Sequence, residues 1–174
     1  MVETWLKANT RALVIGTIPP TLAALLGVVL ATGMASAADN AWWRAGGGAV
    51  AVAATFMVAL LLRQTTLPRL ACDGEHLLVY LTWAAPFRVP LDVVEVFFQG
   101  QGPAMLGRKH KNAQVATIVV RLAERAEDWK KRHVKPALGT WCEGYITIRG
   151  TWCEPINVEV IHQLNRRLRE AKGE

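Results

Sequence analysis

The sequence predicts an α+β membrane protein, in which a hairpin of two transmembrane helices precedes a domain of short strands that ends in one α-helix. Three observations indicate this. Residues 12–38 and 45–62 contain no charged side chain. Beyond Arg63 charged residues recur every few positions, and short apolar runs are separated by turn residues. Near the C-terminus, Ile161, Leu164 and Leu168 fall at helical spacing.

The two uncharged stretches are long enough to cross a bilayer. They contain 27 and 18 residues, and a hydrocarbon core of about 30 Å needs about 20 helical residues. Trp42 and Trp43 precede the second stretch, where aromatic residues line a membrane interface. A soluble core helix can be as apolar, but rarely twice in succession. We therefore expect transmembrane helices at about 12–38 and 45–63, a membrane anchor over 1–66 and a second domain over 67–174.

Basic residues predict the orientation of this hairpin. They flank its two outer ends, whereas the connection between the helices carries only Asp39 and Arg44. Positive charge stays on the cytoplasmic side. The expected location is the cell (inner) membrane, multi-pass, with both termini cytoplasmic. The flanking basic residues are Lys7, Arg11, Arg63, Arg69 and Arg88.

Two alternatives stay open at the N-terminus. Ala35-Ser36-Ala37 resembles a signal-peptide cleavage site, although a signal-peptide apolar region is only about 7–15 residues long. Pro19-Pro20 falls within the first stretch, and proline either kinks a helix or suits its first turn. We favour a spanning helix that begins at Pro19, with Val2–Gly16 lying partly in the membrane interface.

Small residues recur every four positions in both stretches. Such ladders let helix backbones approach closely in lipid, so we expect the two helices to pack through them. The alternative is that alanine is simply common here. No ionisable residue lies within either stretch, which argues against a transport path in this chain. The small residues are Ala23, Gly27, Ala31 and Ala35 in the first stretch and Ala45, Ala49 and Ala53 in the second.

Strand signals fill most of the chain after Arg63. Asp73-Gly74 predicts a hairpin turn between strands at 67–72 and 75–83. A loop is expected at Gly100–Pro103, and 123–135 is ambiguous between a helical turn and an exposed loop. Pro155 or Asn157 begins the C-terminal helix. The other expected strands are 87–91, 93–99, 114–122 and 144–150.

Short motifs in this domain resemble the PH-like domains of bacterial membrane proteins, which also follow two helices. The resemblance covers Leu67–Ala171, and Ala123–Glu143 departs from it as an insertion. It implies a bent β-barrel or sandwich closed by a C-terminal α-helix, together with a membrane setting, and it implies no activity. The residues that carry the resemblance are Val89-Pro90-Leu91, Val94-Glu95-Val96, Gly100-Gln101-Gly102-Pro103 and Leu106-Gly107.

The most unusual feature is a five-residue repeat, GTWCE, at Gly139–Glu143 and again at Gly150–Glu154. Its tryptophans and cysteines are expected to pack at the two ends of a strand. Two alternatives are a metal site helped by His133 or His162 and a disulfide or redox pair. Ten residues between two cysteines is not a zinc spacing, and a cytoplasmic domain keeps thiols reduced.

Two basic clusters are candidates for lipid or partner binding. The chain has a net charge of +6, and from residue 64 onward 16 basic residues face 12 acidic ones. Basic character beside a membrane anchor favours anionic lipid over nucleic acid, because no aromatic-basic motif is present. The alternative is a pair of solvated loops. The candidates are Arg108, Lys109, Lys111, Lys130, Lys131 and Arg132.

These patterns predict a membrane-anchored, non-enzymatic interaction or scaffolding module at the inner face of the membrane. No nucleophile elbow, Walker loop or Rossmann fingerprint occurs, so no catalytic residue, metal or cofactor is expected. The expected partners are membrane lipids and a membrane protein or a second copy of the chain. An alternative function is direct recognition of anionic lipid by the basic loops. A thiol or metal site on Cys142 and Cys153 is a third hypothesis.

Overall fold

The structure is a computed structural model that describes residues 2–34, 40–82, 85–103 and 114–173. The chain forms two compact units. One is a helical hairpin over Thr10–Thr66, and the other combines residues 2–9 with residues 67–173. We call the second unit the strand domain. The alternative cleavage site at Ala35-Ser36-Ala37 lies outside the described residues.

The hairpin consists of α1 (Thr10–Ala31) and α2 (Ala41–Thr66), and both helices are long and apolar enough to cross a membrane. Only 11% of the most apolar window of each helix is buried. Large apolar side chains therefore cover the outside of the hairpin, unlike the mostly buried surface of a soluble core helix. Length, composition and exposure together are compatible with a membrane location.

α1 does not begin at Pro19, so the favoured start of the first helix is wrong. The helix starts at Thr10 and continues through Pro19-Pro20. Threonine hydroxyls supply extra hydrogen bonds on both sides of the prolines: Thr17 Oγ1 donates to the Val14 carbonyl at 2.7 Å, and Thr21 Oγ1 donates to the Thr17 carbonyl at 2.8 Å. These bonds keep the threonine hydroxyls satisfied within the helix, whereas the prolines remove the backbone bonds to the Ile15 and Gly16 carbonyls.

The first sheet of the strand domain is antiparallel, with the order β1-β2-β3-β4. The turn between β2 and β3 was predicted, and the Asp73 carboxylate stabilises it by accepting from the backbone N–H groups of Glu75 and His76 at 3.1 and 2.8 Å. The strands are β1 (Glu3–Leu6), β2 (Leu70–Cys72), β3 (His76–Val79) and β4 (Phe87–Pro90).

The second sheet is also antiparallel, with the order β5-β6-β8-β7. The expected loop at Gly100–Pro103 is wrong, because these residues pair with β6 as the end of β5. β7 was not predicted as a strand. The strands are β5 (Val94–Pro103), β6 (Gln114–Leu122), β7 (Gly139–Cys142) and β8 (Tyr145–Arg149).

The chain ends in α3 (Val158–Lys172), whose predicted cap at Asn157 is observed: the Asn157 side chain accepts from the Val160 N–H at 2.8 Å. Leu164 and Leu168 are buried against both sheets in one core. Asn165 also covers the edge of β5, because its side chain both accepts from the N–H and donates to the carbonyl of Phe97.

The architecture is therefore α+β, with two apolar N-terminal helices, two four-stranded antiparallel sheets and a C-terminal helix against β5. Neither sheet is closed in the described part of the chain. A barrel closed by the C-terminal helix, as the resemblance implies, is not observed. The ambiguous segment 123–135 contains one short 3-10 turn at Glu127–Trp129 and is otherwise irregular.

Candidate functional site: the junctions with the helical hairpin

The strand domain includes residues from both sides of the hairpin. β1 lies before α1, and β2 lies after α2, yet Leu6 pairs with Leu70, Thr4 with Ala71, and Glu3 with Cys72. β1 and β2 are thus neighbouring antiparallel strands whose connection contains both helices. The division into an anchor over 1–66 and a domain over 67–174 therefore needs one change, because β1 belongs to the strand domain.

The second copy of the repeat binds the chain just before α1. We call this copy, Gly150–Glu154, the junction clamp. The Trp152 carbonyl accepts from the Asn9 N–H at 3.1 Å, and the Thr151 carbonyl accepts from Asn9 Nδ2 at 3.1 Å. Lys7 and Glu154 bond reciprocally: the Glu154 carboxylate accepts from the Lys7 N–H at 2.9 Å, and the Glu154 N–H donates to the Lys7 carbonyl at 3.1 Å.

The junction clamp also binds the chain just after α2. Arg69 Nε donates to the same Trp152 carbonyl at 3.0 Å, and the Arg69 N–H donates to the Leu6 carbonyl at 2.8 Å. Arg69 is 1% exposed, and this burial lowers the pKa of its guanidinium. One carbonyl of the clamp therefore binds the chain on both sides of the helical hairpin.

Cys153 lies in the clamp, but its chemistry is that of a core residue. It is 1% exposed, and burial raises the pKa of its thiol to about 12. Burial also raises the pKa of Cys72, whereas Cys142 is exposed. The three described cysteines are free thiols, and no group of three potential metal ligands occurs among the described residues. A raised thiol pKa is the opposite of what a redox nucleophile needs.

The first copy of the repeat forms part of the core instead. Its first four residues are β7, and Glu143-Gly144 make a two-residue turn with φ values of 52° and 77°. Trp141 is 4% exposed, and its indole N–H donates to the Trp129 carbonyl at 2.7 Å. Trp129 stacks on Trp141, and Phe87 meets its edge. The tryptophan of this copy is thus a core side chain within an aromatic cluster.

The six predicted binding residues form two groups, and the structure describes one of them. Arg108, Lys109 and Lys111 lie outside the described residues. Lys130, Lys131 and Arg132 are exposed. Lys130 pairs with Glu127 at 2.8 Å, and the Arg132 guanidinium lies 4.8 Å from the Trp129 ring centroid.

Some of the predicted helix-packing residues lie at the contact between α1 and α2, and others lie on the outer surface of the hairpin. On α1, Gly27 is buried, and Ala23 and Ala31 are partly buried. On α2, Ala49 and Ala53 are exposed. The reason is that α2 turns Gly47 toward α1: a Cβ on Gly47 would lie 2.8 Å from the Gly27 carbonyl oxygen. The ladder expected on α2 therefore points outward.

Among the described residues, three concave regions are lined by α3. One is an open groove of about 760 Å³ on its outer face. The second is a cleft of about 410 Å³ between α3 and the first sheet, and the third is a cleft of about 230 Å³ between α3 and β5. Arg169 lines the groove and the smaller cleft, and no residue of α3 was predicted to bind a partner. The groove is lined by Val158, Glu159, His162, Gln163, Arg166 and Arg169, and the smaller cleft by Glu95, Val96, Asn165, Leu168, Arg169 and Lys172.

Comparisons of the chain with protein-family models, with curated proteins and with solved structures find no match.

Proposed function

We propose that this chain is an integral membrane protein whose helical hairpin anchors a PH-like domain, and that the domain serves as a non-enzymatic interaction or scaffolding module. The observation that carries the proposal is the attachment of the domain to the chain at both ends of the hairpin. β1 and β2 flank the hairpin and pair with each other, and the Trp152 carbonyl binds both Asn9 and Arg69.

This attachment supports a topology in which both termini lie on the same side of the membrane. Strands that pair in one sheet must occupy the same compartment, and backbone groups cannot pair across a bilayer. The basic residues beside both junctions favour the cytoplasmic side, since Lys7, Arg11, Arg63 and Arg69 flank the hairpin. The domain would then lie at the inner face of the membrane.

The architecture of the strand domain supports the PH-like assignment. Two antiparallel four-stranded sheets share one core with a single C-terminal helix. The motif Val89-Pro90-Leu91 spans the end of β4 and the turn into β5. The other described motifs, Val94-Glu95-Val96 and Gly100–Pro103, lie within β5. Eight strands with this order are compatible with two bent sheets that pack face to face.

Topology is the first test. Among the described cysteines Cys142 is exposed, whereas Cys72 and Cys153 are buried. The reaction of Cys142 with a membrane-impermeant maleimide therefore reports the compartment of the strand domain. We expect no labelling in intact cells and full labelling after permeabilisation. As a matched control, Met34 beyond the other end of α1 is 81% exposed. A Met34→Cys, Cys142→Ser variant should label in intact cells. Labelling of Cys142 in intact cells would contradict an inner-face domain.

The interaction role is tested separately. Co-purification in mild detergent should recover the same partner with the full chain in independent preparations. Loss of this partner at a temperature that unfolds the strand domain of the Trp141→Ala variant but not that of the wild-type chain, with the hairpin still inserted, would support the role. A monomeric particle without a partner under several conditions would count against it.

A further inference from the structure

We propose that the groove on the outer face of α3 binds an acidic, extended segment of a partner protein. This inference rests on the proposed interaction role and adds the position of the surface and the chemistry of its partner. The described lining of the groove comes entirely from one side of α3, from Val158 to Arg169. At 1.5 Å per residue the lining is about 17 Å long, which matches about five residues of extended chain.

The charge of this surface carries the choice of an acidic partner. Arg166 and Arg169 line one end of the groove, and Lys172 extends the basic row into the adjoining cleft. The acidic lining residue, Glu159, lies at the opposite end beside Val158, so positive charge is confined to the end at Arg169. Arg169 and Lys172 make no ion pair with any residue that the structure describes. Arg166 approaches Glu170 at 3.9 Å, between two exposed side chains, so this contact is weak and replaceable.

Two cations next to this row are already engaged. Arg121 pairs with Glu95 at 2.9 Å, which neutralises the carboxylate that lines the cleft beside Lys172. Arg167 donates to the Thr4 carbonyl at 3.0 Å and approaches the Glu3 carboxylate at 3.5 Å, which fixes α3 against β1. The cationic row therefore lies on a helix that is held in place, so little order has to be created on binding.

An apolar side chain marks the other end of the groove. Val158 is 63% exposed at the start of α3. The favourable placement of cations near the end of a helix explains Arg169 and Lys172 by themselves. It does not explain a groove that joins them to an exposed valine. A peptide with acidic residues toward Arg169 and an apolar residue toward Val158 matches both ends, whereas a compact phosphate would occupy only one.

The test uses the full chain in nanodiscs of neutral phosphatidylcholine and a fluorescein-labelled probe peptide of six glutamates followed by two leucines. We expect saturable binding that salt weakens. The triple variant Arg166→Gln, Arg169→Gln, Lys172→Gln should weaken binding at least tenfold. The charge-matched control Lys130→Gln, Lys131→Gln, Arg132→Gln should weaken it less than twofold. Equal weakening by the two variants, or no binding to the wild-type chain, would overturn the proposal.

Two further measurements separate the alternatives. Val158→Ser should weaken binding of this probe about threefold and leave binding of an eight-glutamate peptide unchanged. Inorganic phosphate at 10 mM in place of chloride at equal ionic strength, or nanodiscs that contain phosphatidylglycerol, should not displace the probe. Displacement by either would overturn the assignment to a protein segment and favour a phosphate group. The maleimide topology result is independent of all these outcomes.

Discussion

The two copies of GTWCE have the same sequence but different structures. The first, Gly139–Glu143, forms β7 and a tight turn, and its tryptophan lies in the core. The second, Gly150–Glu154, begins with a 3-10 turn and bonds the chain on both sides of the helical hairpin. Five identical residues therefore serve as a strand in one place and as a clamp in the other.

The difference comes from the residue after each copy and from the segments packed around it. Glu143 precedes Gly144, whose φ of 77° completes a two-residue turn, so the chain returns as β8. Glu154 precedes Pro155, which cannot donate to a strand ladder. The second copy meets Lys7, Ala8 and Asn9 instead. Tertiary partners, rather than local propensity, decide which structure each copy takes.

Thiol reactivity should give the largest contrast between the copies. At pH 8 a pKa of about 12 in place of the ordinary 9.0 leaves Cys153 with a thiolate fraction smaller by about a thousandfold, and burial also blocks access. A thiol titration of the folded protein should find Cys142 fast and Cys153 inert, with all three cysteines reacting after denaturation. Fast reaction of Cys153 at pH 8 would mean that the clamp is open.

Truncation of the two tryptophans should give the next largest contrast, because only Trp141 is fully buried. Trp141→Ala should cost about 3–5 kcal/mol, typical of a core aromatic residue. Trp152 is half-buried, so Trp152→Ala should lower the free energy of unfolding by about half as much. Thermal unfolding in detergent, followed by near-ultraviolet circular dichroism, measures both. Equal losses would contradict the assignment of separate roles.

The first glycines of the two copies should behave alike, because both lie against a backbone carbonyl oxygen. A Cβ on Gly139 would overlap the Thr147 carbonyl oxygen, and one on Gly150 would overlap the Ala116 carbonyl oxygen. Alanine at either position should cost about 1–3 kcal/mol through overpacking. Gly46→Ala is the control, because nothing lies within 4 Å of its added Cβ. A neutral Gly150→Ala would show that the clamp does not pack on β6 as described.

The smallest contrast concerns the indole N–H groups. The Trp141 N–H makes a hydrogen bond, whereas the Trp152 N–H is buried without a partner among the described residues. Trp141→Phe should therefore be more costly than Trp152→Phe by about 1 kcal/mol, beyond the loss of ring area that both share. The difference in melting temperature between the two variants measures this. A larger loss at Trp152 would indicate a partner for its N–H.

The elements predicted best are those with a long or local signal. The length of the two uncharged stretches predicted both helices of the hairpin. Asp73-Gly74 predicted the β2–β3 turn, and the spacing of Leu164 and Leu168 predicted α3. Gly100 led to a wrong prediction. Glycine usually indicates a loop, but here it allows Thr117 of β6 to approach, since its added Cβ would lie 2.9 Å from Thr117 Oγ1.

The junctions could not be predicted, for a physical reason. β1 has only four residues, and its partner β2 comes after the whole hairpin. Trp5 and Leu6 are buried, but the adjacent uncharged stretch made them look like an interfacial segment. The junction clamp could not be predicted either, because its sequence is the same as that of the copy that forms β7. Pairing over such a separation leaves no local periodicity.

Removal of the hairpin tests most directly whether the residues on its two sides form one domain. A chain in which Thr10–Thr66 is replaced by a four-residue Gly/Ser linker keeps β1, β2 and the clamp. We predict a soluble monomer that unfolds cooperatively, because the two junctions already lie side by side. The fragment 67–174, which lacks β1, should aggregate, since it exposes the edge of β2. Equal behaviour of the two proteins would contradict closure of the domain by its N-terminal residues.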